Sequence, residues 1–196
     1  MAQSASIIDA KAILRREALA RRDALPARER ADAAAAIAAR PFPIEVAPGA
    51  IVSGFVPMRS EINPLPLLQR LADREIRLAL PVVVGRGQPL RMRLWKFGDP
   101  LQSGVWGIKE PNLDAPEAEP DILIVPLAAF DRGGHRIGYG AGYYDMTINA
   151  LRARKSITAI GIAFAAQEIE AVPATPRDAR LDLVLTEREV IDCRDR

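Results

Sequence analysis

Apolar positions recur at helical spacing from Ile7 to Leu25, and Pro26 followed by Ala27 to Arg40 predicts a second helix before Pro41, Pro43 and Pro48 end the pattern. The N-terminal fifth of the chain therefore reads as a helical hairpin. Ala50 to Val56 is a short run with β-branched residues and predicts a strand. Asn63 and Pro64 supply an N-cap and a first helical position for Leu65 to Glu75, after which Arg77 to Val84 returns to strand. Strand, helix and strand in that order form the unit from which parallel sheets are built. Leu90 to Trp95 alternates as a more exposed strand would. Phe97 to Pro120, rich in Pro, Gly and acidic residues, predicts a long loop of the kind that often carries function.

A second unit follows. Asp121 to Pro126 is a continuous apolar strand, a glycine-rich loop comes next, Tyr144 to Lys155 is helical, and Ile157 to Phe164 is again strand. Beyond Pro173 and Pro176, Leu183 to Thr186 and Val190 to Cys193 predict two short strands. The expected architecture is α/β: an open, mostly parallel, Rossmann-like three-layer sheet with helices on both faces. Residues 1–196 are expected to form one domain, with its ligand beyond the carboxyl ends of the strands.

Composition narrows the class. A chain of 196 residues that is 49% hydrophobic and 27% charged has the make-up of an ordered globular protein. The alanine stretch from Ala33 to Ala39, broken only by Ile37, is far short of the ~20 residues of a membrane span and predicts a packed helix. Small polar residues open the chain, with Asp9 and Lys11 close behind, which is not the basic-then-apolar order of a secretory leader. Cys193 is the single cysteine, so no internal disulfide or cysteine-based metal cluster is expected. A cytoplasmic protein with no membrane partner is the expectation. A net charge of +2 is too small to imply a nucleic-acid partner, despite a sequence pI near 8.9.

The segment Arg136-Ile137-Gly138-Tyr139-Gly140-Ala141-Gly142-Tyr143-Tyr144-Asp145 stands out. Glycines at 138, 140 and 142 let backbone N–H groups approach an anion, and the following helix adds its positive dipole end. The spacing is neither that of the dinucleotide fingerprint nor that of a Walker loop. All three tyrosines lie inside the segment and the only histidine, His135, precedes it. A triphosphate cradle is the expectation, with an exposed glycine turn packed by tyrosines as the bland alternative.

A helical projection of the first helix puts Ile7, Leu14, Ala18, Leu19 and Leu25 on one apolar stripe, with Lys11, Arg15 and Arg22 projecting into it. Cations on such a face must meet an anion, either phosphate or carboxylates of the body, or snorkel outward. A transferable triphosphate normally arrives with a hard dication held by few protein oxygens. Asp145 at the helix start suits that role, and Asp178 or Asp182 in the late Pro-rich turn could supply a second carboxylate. Glu61 lies on the ligand side of the first strand. Trp106, between Gly104 and Gly107, could stack a flat heterocycle or plug the core. One histidine cannot form a Ser/His/Asp triad or a histidine metal cluster.

Over nearly its whole length the chain resembles the 5-formyltetrahydrofolate cyclo-ligases, also called 5,10-methenyltetrahydrofolate synthetases. The resemblance is most specific from Pro126 through Asp145, and Lys11 with Arg15, Phe55 to Glu61, Val105 to Pro111 and Asp178 to Asp182 recur in order. It implies ATP- and Mg2+-dependent cyclisation of 5-formyltetrahydrofolate, with or without a polyglutamate tail, by way of a phosphorylated formyl group. By matching position Lys11, Arg15, Arg136, Gly138, Tyr139, Gly140, Ala141, Gly142, Tyr143 and Tyr144 would hold ATP. Among these Lys11, Arg136 and Tyr144 would act in the chemistry, and Asp145 and Asp178 would hold magnesium. Val56, Glu61, Trp106 and Tyr143 would contact the folate. Met146 stands where relatives commonly carry a basic residue, and Ile137 replaces a usual leucine. A monomer or weak homodimer is expected. Two other classes stay open: a nucleotide- or folate-binding regulatory protein without turnover, and a sugar-phosphate isomerase-like enzyme on a related fold.

Overall fold

The computed structural model describes residues 2–194, with side chains from residue 7 onward. Helices α1 (Ala2–Asp23) and α2 (Ala27–Ala39) open the chain on either side of Pro26. β1 (Ile51–Ser53), α3 (Leu65–Ala72), β2 (Arg77–Val82) and β3 (Arg91–Trp95) follow. Three short strands come next: β4 (Leu101–Ser103), β5 (Lys109–Pro111) and β6 (Glu117–Ala118). The remaining elements are β7 (Ile122–Pro126), β8 (Ala129–Phe130), β9 (Arg136–Ile137), α4 (Tyr143–Arg152), β10 (Thr158–Ile162), β11 (Leu183–Leu185) and β12 (Val190–Asp192).

The main sheet has eight strands in the order β12-β11-β10-β7-β1-β2-β3-β6. Its middle five, β11 to β2, are parallel, and β12, β3 and β6 join antiparallel at the edges. Both expected strand–helix–strand units are present, β1-α3-β2 and β7-α4-β10. Alternate residues of each strand serve opposite faces. Val52, Leu80, Ile124 and Ile160 pack beneath Ile37 of α2 and Leu67 and Leu68 of α3. Ala79, Leu123, Val125 and Val184 pack against Ile148 and Leu151 of α4 on the other side. Burial on both faces explains why the central strands read as unbroken apolar runs, each large side chain contributing about 1.5–3 kcal/mol.

The two N-terminal helices take different partners. α2 packs on α3, whereas α1 lies over β8 and a 3-10 turn at Ala165–Gln167. There Ala18 is buried with Ala129 and Ile137.

The structure corrects two expectations. The segment 97–120 is not a structureless loop, because β4 and β5 close a hairpin around Gly104–Ile108 and β6 extends the edge beside β3. Nor does the glycine-rich loop spring directly from β7. A small hairpin, β8 with β9, stands between them. Its turn is held by the buried Asp131 carboxylate, which accepts hydrogen bonds from the backbone N–H of His135 and of Val172.

Candidate active site

The strands after β1 are laid down in opposite directions: β2 and β3 to one side, β7, β10 and β11 to the other. The gap between the diverging connections is the topological switch point, where open α/β sheets hold ligands. A cavity of about 370 Å3 lies there. Phe55 and Val56 enter it from the end of β1, Pro81 and Val83 from β2, and Pro126 from β7. Most of its wall is apolar. Glu61, Glu110, Arg22, Arg136 and Asp145 supply charge, and Trp106, Tyr139, Tyr143 and Tyr144 supply aromatic rings.

The glycine-rich segment forms one rim. Gly140 (φ 103°) and Gly142 (φ 70°) occupy the left-handed region, which glycine adopts without strain, and Gly142 is the N-cap of α4. An added Cβ at 138, 140 or 142 would meet nothing within 4 Å, so these glycines are not dictated by crowding from the rest of the chain. Among the described residues, no backbone N–H from Tyr139 to Gly142 donates to the protein. A row of free donors at a helix start is the feature that suits an anion.

α1 brings Arg15 and Arg22 to this rim and Lys11 to the late turn beside it. Arg22 is 4% exposed and its Nη1 donates to the Tyr139 hydroxyl at 2.8 Å. Arg15 Nε donates to the Gly138 carbonyl at 2.6 Å, tying the loop to the helix. Lys11 Nζ lies 2.6 Å from Asp178 Oδ2. The anion expected for Lys11 is therefore a carboxylate of the body in this structure. That same oxygen also accepts from Thr175 N and Oγ1. Burial by itself would raise the Asp178 pKa, but the Lys11 and Thr175 hydrogen bonds and the Lys11 charge together hold it below the usual carboxylate value.

Arg136 is the buried hub. Its Nη2 donates to Asp145 Oδ1 at 2.8 Å and its Nη1 to the Ala179 carbonyl. Asp145 Oδ1 also accepts from Ala179 N at 2.9 Å, which sets the late turn against the start of α4. Burial pulls the Arg136 pKa below its ordinary value, while the Asp145 charge and hydrogen bond pull the other way. Burial also raises the Tyr139 and Tyr144 phenols, with the Glu61 charge adding to it, so both stay neutral at physiological pH. The Tyr144 hydroxyl is enclosed and has no hydrogen-bond partner among the described residues.

Comparison with known proteins decides the family. The model of the 5-formyltetrahydrofolate cyclo-ligase family matches residues 7–187. The chain belongs to that family. The 5-formyltetrahydrofolate cyclo-ligase of Mycolicibacterium smegmatis is 33% identical over 150 residues, covering 73% of this chain and 76% of the relative. That of Escherichia coli is 31% identical over 145 residues, with coverage of 71% and 79%. The solution structure of Aquifex aeolicus 5,10-methenyltetrahydrofolate synthetase superposes with a TM-score of 0.75 at 27% identity, over 95% of this chain and 94% of that one.

Within this cyclo-ligase fold, the cavity brings together Val56, Glu61, Trp106, Arg136, Gly138, Tyr139, Ala141, Gly142, Tyr143, Tyr144 and Asp145. Lys11, Arg15, Gly140 and Asp178 lie outside its lining, on the polar flank where α1 meets the loop and the late turn. Asp182 goes elsewhere: it pairs with Arg152 at 2.7 Å and accepts from Ala159 N. Trp106 is not a core plug, since it is 65% exposed, sits at φ 57° and approaches Tyr143 with ring centroids 6.0 Å apart. His135 faces Asp131, its Nδ1 3.3 Å from the carboxylate, within the β8–β9 turn. Met146, at the departure from the family pattern, is half-buried in the first turn of α4, and Ile137 fills the small core beneath α1.

Sequence reasoning missed Glu110, a 3% exposed carboxylate on the cavity wall, because a glutamate in a Pro- and Gly-rich segment reads as solvated. It also missed Arg59 at the cavity mouth. Arg22 had a signal, its place on the apolar stripe of α1, but not its partner.

Among the described residues, no group of three or more His, Cys, Asp or Glu side chains is arranged to hold a metal ion. Asp145 Oδ2 and Asp178 Oδ1 accept no hydrogen bond from the described residues. Two such half-used carboxylates fit a hard dication that takes most of its oxygens from phosphates and water. No helix among the described residues is long and apolar enough to cross a membrane.

Proposed function

We propose that the chain catalyses the ATP- and magnesium-dependent cyclisation of 5-formyltetrahydrofolate to 5,10-methenyltetrahydrofolate, releasing ADP and phosphate. The observation that carries this reading is the junction of two unlike surfaces in one site: a row of free backbone donors from Tyr139 to Gly142 and an apolar cavity with Trp106 and Tyr143 at its edge. The first suits a triphosphate and the second a flat heterocycle. Family membership and the relatives' names support the same pairing.

In the proposed chemistry the formyl oxygen attacks the γ-phosphorus, forming an O–P bond as the bond to ADP breaks. The neighbouring anilinic nitrogen then attacks the formyl carbon, loses its proton, and phosphate departs with the former formyl oxygen. A poor leaving group is thus exchanged for a good one. Little acid–base work is needed, and the enzyme's task is alignment and charge stabilisation. The backbone donors of 139–142, with Lys11 and Arg15 on their flank, receive the phosphates. Arg136 holds Asp145 and the late turn in register and adds positive charge near the transferring group. The neutral Tyr144 phenol, lacking a partner, is available to donate to an oxygen of the reacting centre. Val56, Glu61, Trp106 and Tyr143 receive the folate. Asp145 and Asp178 would hold magnesium, which supplies charge neutralisation at the phosphates when bound.

On this reading residues 1–196 work as one cytoplasmic catalytic domain, active as a monomer or weak homodimer. Calorimetric titration with ATP in the presence and absence of magnesium tests the nucleotide half. Saturable ATP binding that tightens with magnesium is expected. Absence of binding in a folded protein would remove the cradle assignment.

A further inference from the structure

Glu110 is the one acidic group of the cavity wall with neither a cation nor a tyrosine against it among the described residues. It follows Lys109 on β5, where the β4–β5 hairpin folds back towards the end of β2. Its Oε1 accepts from Val83 N at 3.0 Å. Among the described residues, nothing donates to Oε2, and no ion pair reaches the carboxylate. Gly104 opposes it so closely that any Cβ at 104 would overlap the carboxyl group. The hairpin thus gives up a side chain to make room for a 97% buried acid on a wall it shares with Pro81, Val83, Leu90 and Ile108.

A buried carboxylate with an idle oxygen is costly unless donors arrive. Water can supply them while the cavity is open. A flat ligand that fills the cavity expels that water and must replace its donors, or bind poorly. Phosphate offers the wrong complement here, because a carboxylate repels anions and the row of backbone donors that suits phosphate lies at 139–142, and adenine offers a single amino group where a reduced pterin offers several N–H donors. The heterocycle of a reduced folate carries several N–H donors on an otherwise flat body. We infer that Glu110 is a specificity-determining residue of the folate subsite, its carboxylate accepting an N–H of the tetrahydropterin ring. This rests on the cyclisation reading above.

The test compares wild type with Glu110→Gln, which keeps size and can still accept from Val83 N but turns a donor towards the ligand. Three quantities are read: Kd for 5-formyltetrahydrofolate, Kd for the truncated probe 5-formyl-6-methyltetrahydropterin, and Kd for ATP. Both pterin-containing ligands should weaken by about tenfold or more and by the same ratio, with ATP affinity within about twofold of wild type. A merely structural role would move ATP binding and the melting temperature as well. Loss for the full folate but not for the truncated probe, or unchanged affinity for both, overturns the inference. If Glu110→Gln does not fold, Glu110→Asp serves: a carboxylate one methylene shorter cannot hold both Val83 and the ligand, and binding equal to wild type overturns the inference. Wild-type protein that binds no folate at all would instead overturn the cyclisation reading, so the two failures are distinct.

Discussion

Replacing Lys11 by alanine separates two roles for the cation that α1 carries on its apolar face. In the structure Lys11 is paired with Asp178 at 2.6 Å, with side chains 16% and 20% exposed. An exposed pair contributes roughly 0–1 kcal/mol, and breaking a fully buried one costs roughly 3–5 kcal/mol. This pair lies between those limits, and Thr175 keeps two donors on Asp178 after Lys11 is gone. Screening and those donors bring the expected loss of unfolding free energy to about 1–2 kcal/mol. The pH dependence follows from the depressed Asp178 pKa. The unfolded chain binds the extra proton first, so the pair's contribution is complete above about pH 4 and is lost as pH falls through the lower folded value. Urea titrations should therefore show the full gap between wild type and Lys11→Ala at pH 7 and a smaller gap at pH 3. If Lys11 also reaches phosphate, a lost charge-assisted hydrogen bond of about 1.5–3 kcal/mol raises the Kd for ATP roughly 10- to 150-fold. Arg16→Ala, on the exposed face of α1, is the control and should change neither quantity. A Lys11→Ala protein that loses the expected stability yet binds ATP as tightly as wild type would refute the phosphate role and leave Lys11 a partner of Asp178 alone.

Other substitutions test other parts of the site. Gly140→Val places a β-branched residue at φ 103°, costing about 1–3 kcal/mol of stability, and puts methyl groups in front of the donor row, so ATP binding should vanish while far-ultraviolet circular dichroism is retained. Asp145→Asn should raise the magnesium concentration needed for half-maximal turnover, and an unchanged requirement in both Asp145→Asn and Asp178→Asn would disprove the metal assignment. Trp95 is buried and Trp106 exposed, so folate binding should alter fluorescence mainly through Trp106, and Trp106→Phe should abolish most of the response. A full response from that variant would move the heterocycle away from the β4–β5 hairpin.

The fold was legible wherever burial on two faces writes an unbroken apolar run, as in Ile122–Pro126 and Thr158–Ile162, or where a proline and an amphipathic repeat mark a helix, as in Leu65–Ala72. It was not legible in β4, β5, β6, β8 and β9, which are two or three residues long and show no alternation. Those strands exist because tertiary neighbours complete them. The candidate site divides in the same way. Gly138 to Gly142 declare themselves by spacing, and Lys11, Arg15 and Arg22 by standing on an apolar stripe. What the linear pattern cannot carry is partnership. That Lys11 meets Asp178 across 167 residues, that Arg136 joins Asp145 to Ala179, and that Gly104 makes room for Glu110 are consequences of chain crossing, not of local propensity.

The most direct test of the central claim is to mix the purified protein with ATP, magnesium and 5-formyltetrahydrofolate and to follow the near-ultraviolet absorbance of the conjugated methenyl product. Product that appears only when both ATP and magnesium are present, and that is lost in a folded Arg136→Ala variant, is the expected result. Tight binding of both ligands without product would contradict catalysis and point to a regulatory binder, and turnover of a sugar phosphate without ATP would point to an isomerase.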